Sequence, residues 1–225
     1  MKIYDPQGRI LLNEEQEGGG SRHSEFEGRP EIDRKKLRDL LLDSLDPSTV
    51  SWGRVLLKVE RDGAGQNTLW FADGVEHGFN LVVGADGAWS KVREALTDQK
   101  PLYSGVGGLD LRIRDIDQRY PKLARRVGKG MCLTLGESRG LMAQRNGDGS
   151  MRMYAFVRQP EESYRSFSAE ATTNPAAVKE KMIEKFYADW DQEAKDLVRS
   201  CDNDEVYVRS MFMLPIGFTW NSNPR

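Results

Sequence analysis

The chain has 225 residues, of which 33 are Lys or Arg and 35 are Asp or Glu, giving a formal net charge of −2 with 30% of residues charged. That balance offers no electrostatic footprint for nucleic acid. No apolar run approaches membrane-spanning length, and Met1-Lys2-Ile3-Tyr4-Asp5-Pro6 lacks the form of a signal peptide, so a cytoplasmic protein is expected. Two cysteines, Cys132 and Cys201, and two histidines, His23 and His77, are too few for a disulfide framework, a zinc site or a Ser-His-Asp triad.

Residues 1–12 alternate about Pro6-Gln7-Gly8 like a hairpin. Residues 13–28 are acidic and Gly-rich, hold Gly18-Gly19-Gly20 and His23, and read as a mobile loop. Residues 28–45 read as an extended lead-in and an amphipathic helix: Pro30 biases Arg29 away from helix, Asp33 is a candidate N-cap, and Leu37, Leu40, Leu41 and Leu45 are spaced for one buried face. Val50, Trp52, Val55, Leu57 and Val59 suggest a strand or two. Residues 62–67 read as a hairpin connection, residues 69–71 return, and Asp73-Gly74 turns again ahead of His77.

The most informative stretch follows. Leu81-Val82-Val83 reads as the end of a buried strand, Gly84-Ala85-Asp86-Gly87 as a tight turn, and Ser90 as the start of a segment with Val92, Ala95 and Leu96 at helical spacing. Glycines let backbone N–H groups approach phosphates, and a following helix N-terminus favours negative charge. An Asp in such a turn can orient those amides or a sugar hydroxyl.

Past Arg93 the character changes. Residues 103–114, 131–135, 140–144 and 151–157 read as antiparallel strands, with Asn146-Gly147-Asp148-Gly149 a strong hairpin signal. Asn174-Pro175 is a good helix start. Val178, Met182, Phe186, Trp190, Ala194 and Leu197 then form one apolar stripe, expected to pack on the core as a single long helix. Val206, Val208, Met211 and Met213 suggest one more strand, and both cysteines are expected to be buried small hydrophobes. The fold class expected is α/β with α+β character. A partial Rossmann-like portion over residues 1–100 precedes an antiparallel sheet covered by a long helix over 101–214, with 215–225 as a tail.

Three segments carry a resemblance: Arg29-Pro30-Glu31-Ile32-Asp33-Arg34, Gly84-Ala85-Asp86-Gly87 with Ser90-Lys91-Val92-Arg93, and Asp189-Trp190-Asp191. In order and spacing they resemble FAD-dependent monooxygenases of the p-hydroxybenzoate hydroxylase type, and within these the branch of tetracycline-inactivating enzymes and their fungal relatives. The resemblance implies an oxidoreductase with FAD as cofactor and NADPH as co-substrate. It would insert one oxygen atom into a small organic substrate, aromatic or polyketide, in secondary metabolism. It implies that Arg34, in an Arg-x-x-Leu helix opening, contacts FAD, and that Asp86 and Gly87 line the pyrophosphate and nicotinamide side. It also implies that Met142 and Arg152, on the strands of the substrate sheet, face the substrate cavity. An Arg on an alternating apolar strand face is itself unusual.

The family opens with a strand, a G-x-G-x-x-G turn and a helix that hold the FAD pyrophosphate. No such unit occurs here, since Gly105-Val106-Gly107-Gly108 and Gly63-Ala64-Gly65 have the wrong spacing, and no G-D-A-A-H run is present. The chain therefore reads as the truncated middle of a monooxygenase. Alone it is expected to bind FAD poorly and to be inactive, and its partners would include flanking segments if the gene is split. The alternative is a non-catalytic substrate-binding or interaction module derived from such an enzyme.

Overall fold

The computed structural model describes residues 1–14, 32–63 and 65–220, the side chains of Arg165 and Ser166 excepted. Most of the expected loop at 13–28, with Gly18-Gly19-Gly20 and His23, and the Arg29-Pro30-Glu31 lead-in lie outside the described residues. Packing divides the chain into two units, Met1–Arg38 with Gly105–Met211 and Asp39–Ser104 with Phe212–Arg225.

The first unit is built on a seven-stranded sheet of order β10-β6-β9-β8-β7-β1-β2. Its strands are β1 (Lys2–Tyr4), β2 (Ile10–Asn13), β6 (Leu102–Ile113), β7 (Met131–Gly136), β8 (Arg139–Arg145), β9 (Met151–Arg158) and β10 (Tyr207–Met213). The β1–β2 hairpin forms about Pro6-Gln7-Gly8 as its alternation implies, and β1 then joins the sheet parallel to β7. The β8–β9 hairpin closes through the Asn146–Gly149 turn, where the Asn146 amide donates to the Ser150 carbonyl at 2.9 Å. Strand periodicity sorts β9 into buried Met151, Met153, Ala155 and Val157 on one face and half-buried Arg152, Tyr154 and Phe156 on the other. The Gly105–Gly108 run lies within β6. Gly107 is needed there because a Cβ would stand 2.8 Å from the Tyr164 ring.

Helices α5 (Glu162–Thr173), α6 (Pro175–Phe186) and α7 (Gln192–Arg199) cover the buried face. Tyr164 donates its hydroxyl proton to the Val157 carbonyl at 2.7 Å, and Tyr187 bonds the carbonyls of Phe156 and Gly140 at 2.9 and 3.2 Å. Asn174 caps α6 by accepting from the Ala177 amide. The stripe from Val178 to Leu197 is buried throughout, but the single long helix expected for it is two. The chain leaves helix after Phe186, and Asp191 starts α7 by accepting from the Ala194 amide at 3.2 Å. Helix α5 and the short helices α3 (Ile116–Arg119) and α4 (Pro121–Val127) were not legible in the periodicity. Cys132 and Cys201 are buried, and burial pushes the Cys132 thiol up to about 11.

The second unit holds a three-stranded antiparallel sheet, β3 (Leu56–Arg61), β4 (Asn67–Phe71) and β5 (Gly74–Phe79), with the one-turn helix α2 (Lys91–Glu94) against β3. Two expectations are corrected. Residues 81–83 do not form a buried strand: they pair with no strand among the described residues, and Leu81 and Val83 are each 77% exposed. An extended segment without a hydrogen-bonded neighbour is not a strand. Helix α1 (Arg34–Asp43), which spans the boundary between the units, exposes Leu37, Leu40 and Leu41, and Leu45 beyond it is exposed as well. No helix among the described residues is long and apolar enough to cross a membrane.

The first unit is fastened by a buried ion pair. Arg126 of α4, its side chain 5% exposed, binds both carboxylate oxygens of Asp191 at 2.8 Å and lies 4.4 Å over the Tyr4 ring. Breaking such a pair from one side leaves an uncompensated buried charge, which costs about 3–5 kcal/mol. Arg126→Met is therefore expected to destabilise the chain by about that amount in urea titration. Arg126→Met with Asp191→Leu should lose less than the single variant, and equal losses would show that the charge pairing is not the cause.

Candidate functional site

The Gly84–Gly87 turn is held by its own short-range bonds. Ser90 precedes α2 and accepts from the Arg93 amide at 3.0 Å, while the Asp86 carboxylate accepts from the Lys91 amide at 2.7 Å. Arg93 returns its guanidinium to the Ala88 carbonyl at 2.8 Å. Partial burial pushes the Asp86 carboxyl up, but hydrogen bonds from Ser90, Lys91 and Val92 outweigh it and hold the group below the usual carboxylate range. Gly84 lies so close to Val92 that an added Cβ would stand 2.8 Å from it. Gly87 is the reverse case, with φ of 81° and open space where a Cβ would be. Its backbone is thus approachable, and its conformation suits glycine. An ionised Asp beside an open glycine backbone fits contact with a sugar hydroxyl or a phosphate. Among the described residues no group of three or more His, Cys, Asp or Glu could hold a metal ion.

Arg34 is the first residue of α1 and is exposed, with no carboxylate partner among the described residues. Asp33 before it turns its carboxylate to the Gly147 amide at 3.2 Å, tying the helix start to the β8–β9 turn. Arg34 belongs to the first unit, and Asp86 and Gly87 to the second.

Met142 and Arg152 are brought together. Met142 pairs with Tyr154 and Gln144 with Arg152, so all four lie on the sheet face turned away from the helices. Phe156 shares that face, its ring parallel to that of Tyr154 with centroids 5.5 Å apart. The charge on Arg152 is explained by a residue that sequence reading missed. Asp110 of β6, on the same face, takes the guanidinium through two bonds of 2.5 and 2.7 Å, and Arg209 reaches it at 3.4 Å. Glu205 stands 3.6 Å from Arg152 and 3.3 Å from Arg112, and Arg112 also binds Asp148 at 2.7 Å. The bond to Asp110 holds the Arg152 guanidinium more tightly protonated than usual against the opposing effect of burial. A signal was present: Leu109-Asp110-Leu111-Arg112-Ile113 alternates apolar and charged residues, which places Asp110 and Arg112 on one face.

Against known proteins, no family profile matches the chain. It is 28% identical over 229 residues to a monooxygenase, asqM, of Emericella nidulans, covering 84% of this chain and 52% of that protein. It is 26% identical to a monooxygenase, penA, of Penicillium thymicola, covering 96% of this chain and 56% of that one. The chain thus spans about half the length of these relatives. Among solved structures, Klebsiella pneumoniae HpxO complexed with FAD and uric acid aligns with a TM-score of 0.68 at 18% identity, over 95% of this chain and 51% of that one. A salicylate hydroxylase substrate complex aligns at 0.58 with 19% identity, over 80% and 46%. These structures share the fold.

The Asp110–Arg152 pair organises the half-buried face, so its loss is measurable. Removing the carboxylate charge leaves a partly buried guanidinium short of its partner, at a cost of about 1–3 kcal/mol. Asp110→Asn is expected to lower the urea midpoint accordingly. An unchanged midpoint would mean that water replaces the carboxylate at no cost.

Proposed function

We propose that this chain, which belongs to the FAD-dependent monooxygenase family, serves an enzyme that oxygenates a small organic substrate, with Arg34, Asp86 and Gly87 on the FAD side and Met142 and Arg152 on the substrate side. The supporting observation is a coincidence of two kinds of likeness. Sequence identity to a fungal monooxygenase runs over 84% of the chain, and the fold aligns over 95% of it with an FAD-bound enzyme. The relatives' greater length makes the activity a property of the whole enzyme, with NADPH as the reductant of the same proposal and the cytoplasm as its setting.

Bound FAD would supply the redox and oxygen chemistry. The residues of this chain bind and orient. Gly87 leaves its backbone open to a phosphate or ribose oxygen, and Asp86, held ionised, accepts from a hydroxyl or fixes amides around it. Arg34 offers an exposed guanidinium for a charge-assisted bond. On the sheet, Met142, Tyr154 and Phe156 give an apolar wall. Arg152 brings N–H donors whose positive charge Asp110 already balances. Such a wall suits a planar substrate carrying carbonyl or hydroxyl oxygens.

FAD titrated into the purified chain, followed by flavin absorbance near about 450 nm, tests the cofactor assignment. Weak binding is expected, because the sequence holds no G-x-G-x-x-G unit. Arg34→Ala should weaken it by a further factor of about ten to a hundred, the value of one charge-assisted contact. Binding indifferent to Arg34→Ala would remove that residue from the cofactor site. Complete absence of binding would favour a non-catalytic module.

A further inference from the structure

The half-buried sheet face carries a charge network that closes on itself. Arg152, Arg112 and Arg209 meet Asp110, Glu205 and Asp148. Glu205 passes the network on to Arg114, which also binds Asp202 and Asp204, and Asp202 in turn holds Arg119. Five guanidinium groups thus stand against five carboxylates, and the network as a whole has no net charge.

Within that network Arg152 is committed on one edge and open on another. Its Nε and Nη2 donate to the two oxygens of Asp110 at 2.5 and 2.7 Å. That is a paired edge with which a guanidinium grips a carboxylate. Nη1 makes no hydrogen bond to a described residue and is reached by solvent. Glu205 stands 3.6 Å from it, so a ligand atom bound at Nη1 lies beside a negative charge. Tyr154 is two residues on along β9, on the same face and about 7 Å away. Its hydroxyl has no hydrogen-bond partner among the described residues.

We propose that this face selects an uncharged substrate, held through a carbonyl oxygen by Arg152 Nη1, and discriminates against carboxylates. The inference rests on the substrate face of the proposed function and specifies the charge of what binds there. A neutral carbonyl needs one N–H donor and brings no charge, so the balance of the network stands. A carboxylate would have to compete with Asp110 for the paired edge or lie beside Glu205, where like charges repel. Discrimination of this kind comes from what the site opposes as much as from what it binds. Asp110 is therefore a positioning residue: it neutralises Arg152 and leaves it one directed donor. Met142 and Phe156 supply apolar cover for a planar ligand, and the Tyr154 hydroxyl can meet a second oxygen.

Isothermal titration of the full chain with two planar probes of nearly one shape, cinnamamide and cinnamate, tests it. The amide is expected to bind saturably and the carboxylate at least about tenfold, or 1.4 kcal/mol, more weakly. Arg152→Met should weaken the amide about threefold to tenfold, the value of one hydrogen bond. Asp110→Asn and Glu205→Gln each remove one negative charge, and each should abolish or reverse the preference for the amide. General loosening of the sheet would weaken both probes alike and leave their ratio unchanged, so the ratio separates positioning from stability. Cinnamate binding as tightly as cinnamamide, an unchanged ratio in either carboxylate variant, or amide binding indifferent to Arg152→Met would overturn the charge selection and leave the substrate face standing. Binding of neither probe would overturn the substrate face itself, and the selection with it.

Discussion

One buried ion pair holds together parts of the first unit that are remote in sequence. Asp191 meets the Arg126 guanidinium through both carboxylate oxygens, caps helix α7, and donates its own amide to the Pro6 carbonyl at 2.7 Å. Arg126 stacks on Tyr4, whose hydroxyl donates to the Arg126 carbonyl at 3.1 Å. The turn of the N-terminal hairpin is shaped to the same pair, because a Cβ on Gly8 would stand 3.0 Å from the Asp191 carboxylate carbon. The two-pronged contact offsets the burial of the two charges, although the Arg126 Nε is buried without a hydrogen-bond partner among the described residues. β1 lies between β7, to which it runs parallel, and β2, its hairpin partner. The Asp189-Trp190-Asp191 segment is thus a structural clamp: Asp189 binds Arg139, Trp190 fills the space above Gly136, and Asp191 binds Arg126.

With the sheet pinned from that side, its two faces serve different ends. The helix-covered face is mainly apolar, with Met151, Met153, Ala155, Leu109 and Leu111 all buried. The opposite face mixes aromatic, thioether and charged groups, a composition a hydrophobic core would not tolerate without pairing. Pairing is what it has. The carboxylates of Asp110 and Glu205 are shared among Arg152, Arg209 and Arg112, so the face is polar without presenting a strong net charge. The Arg152 side chain, 27% exposed, is thus paired on the protein side and open to solvent on the other.

What could be read from the sequence follows the range of the interactions. The Asn146–Gly149 hairpin, the Asn174 cap and the strand alternation of β6 to β9 rest on residues close in the chain, and each lies where its pattern placed it. Three features were not legible. The break at Asp189–Asp191 within an unbroken apolar stripe depends on Arg126 and Arg139, some 50 to 65 residues away in sequence. The parallel β1–β7 pairing depends on the same clamp. The exposure of Leu37, Leu40 and Leu41 reverses what their spacing implies, because periodicity identifies an apolar face without naming what covers it. The candidate site divides in the same way. Met142 and Arg152 share a face because strand periodicity is local, whereas Asp110, which makes Arg152 tenable, enters from another strand.

The Asp86 turn illustrates the local extreme. Leu81 and Val83 ahead of it are exposed and pair with no strand among the described residues, so none of those strands fixes the approach. The turn is nevertheless fully specified: Gly84 yields space to Val92, Gly87 takes a positive φ, Asp86 holds the Lys91 amide, and Ser90 holds the Arg93 amide. Every one of those contacts spans eight residues or fewer. A geometry determined this locally forms with little dependence on its surroundings, which is why the motif stands out in the sequence. For the same reason its approachable backbone at Gly87 can be ready before a ligand arrives, so that binding need not supply the ordering of the turn.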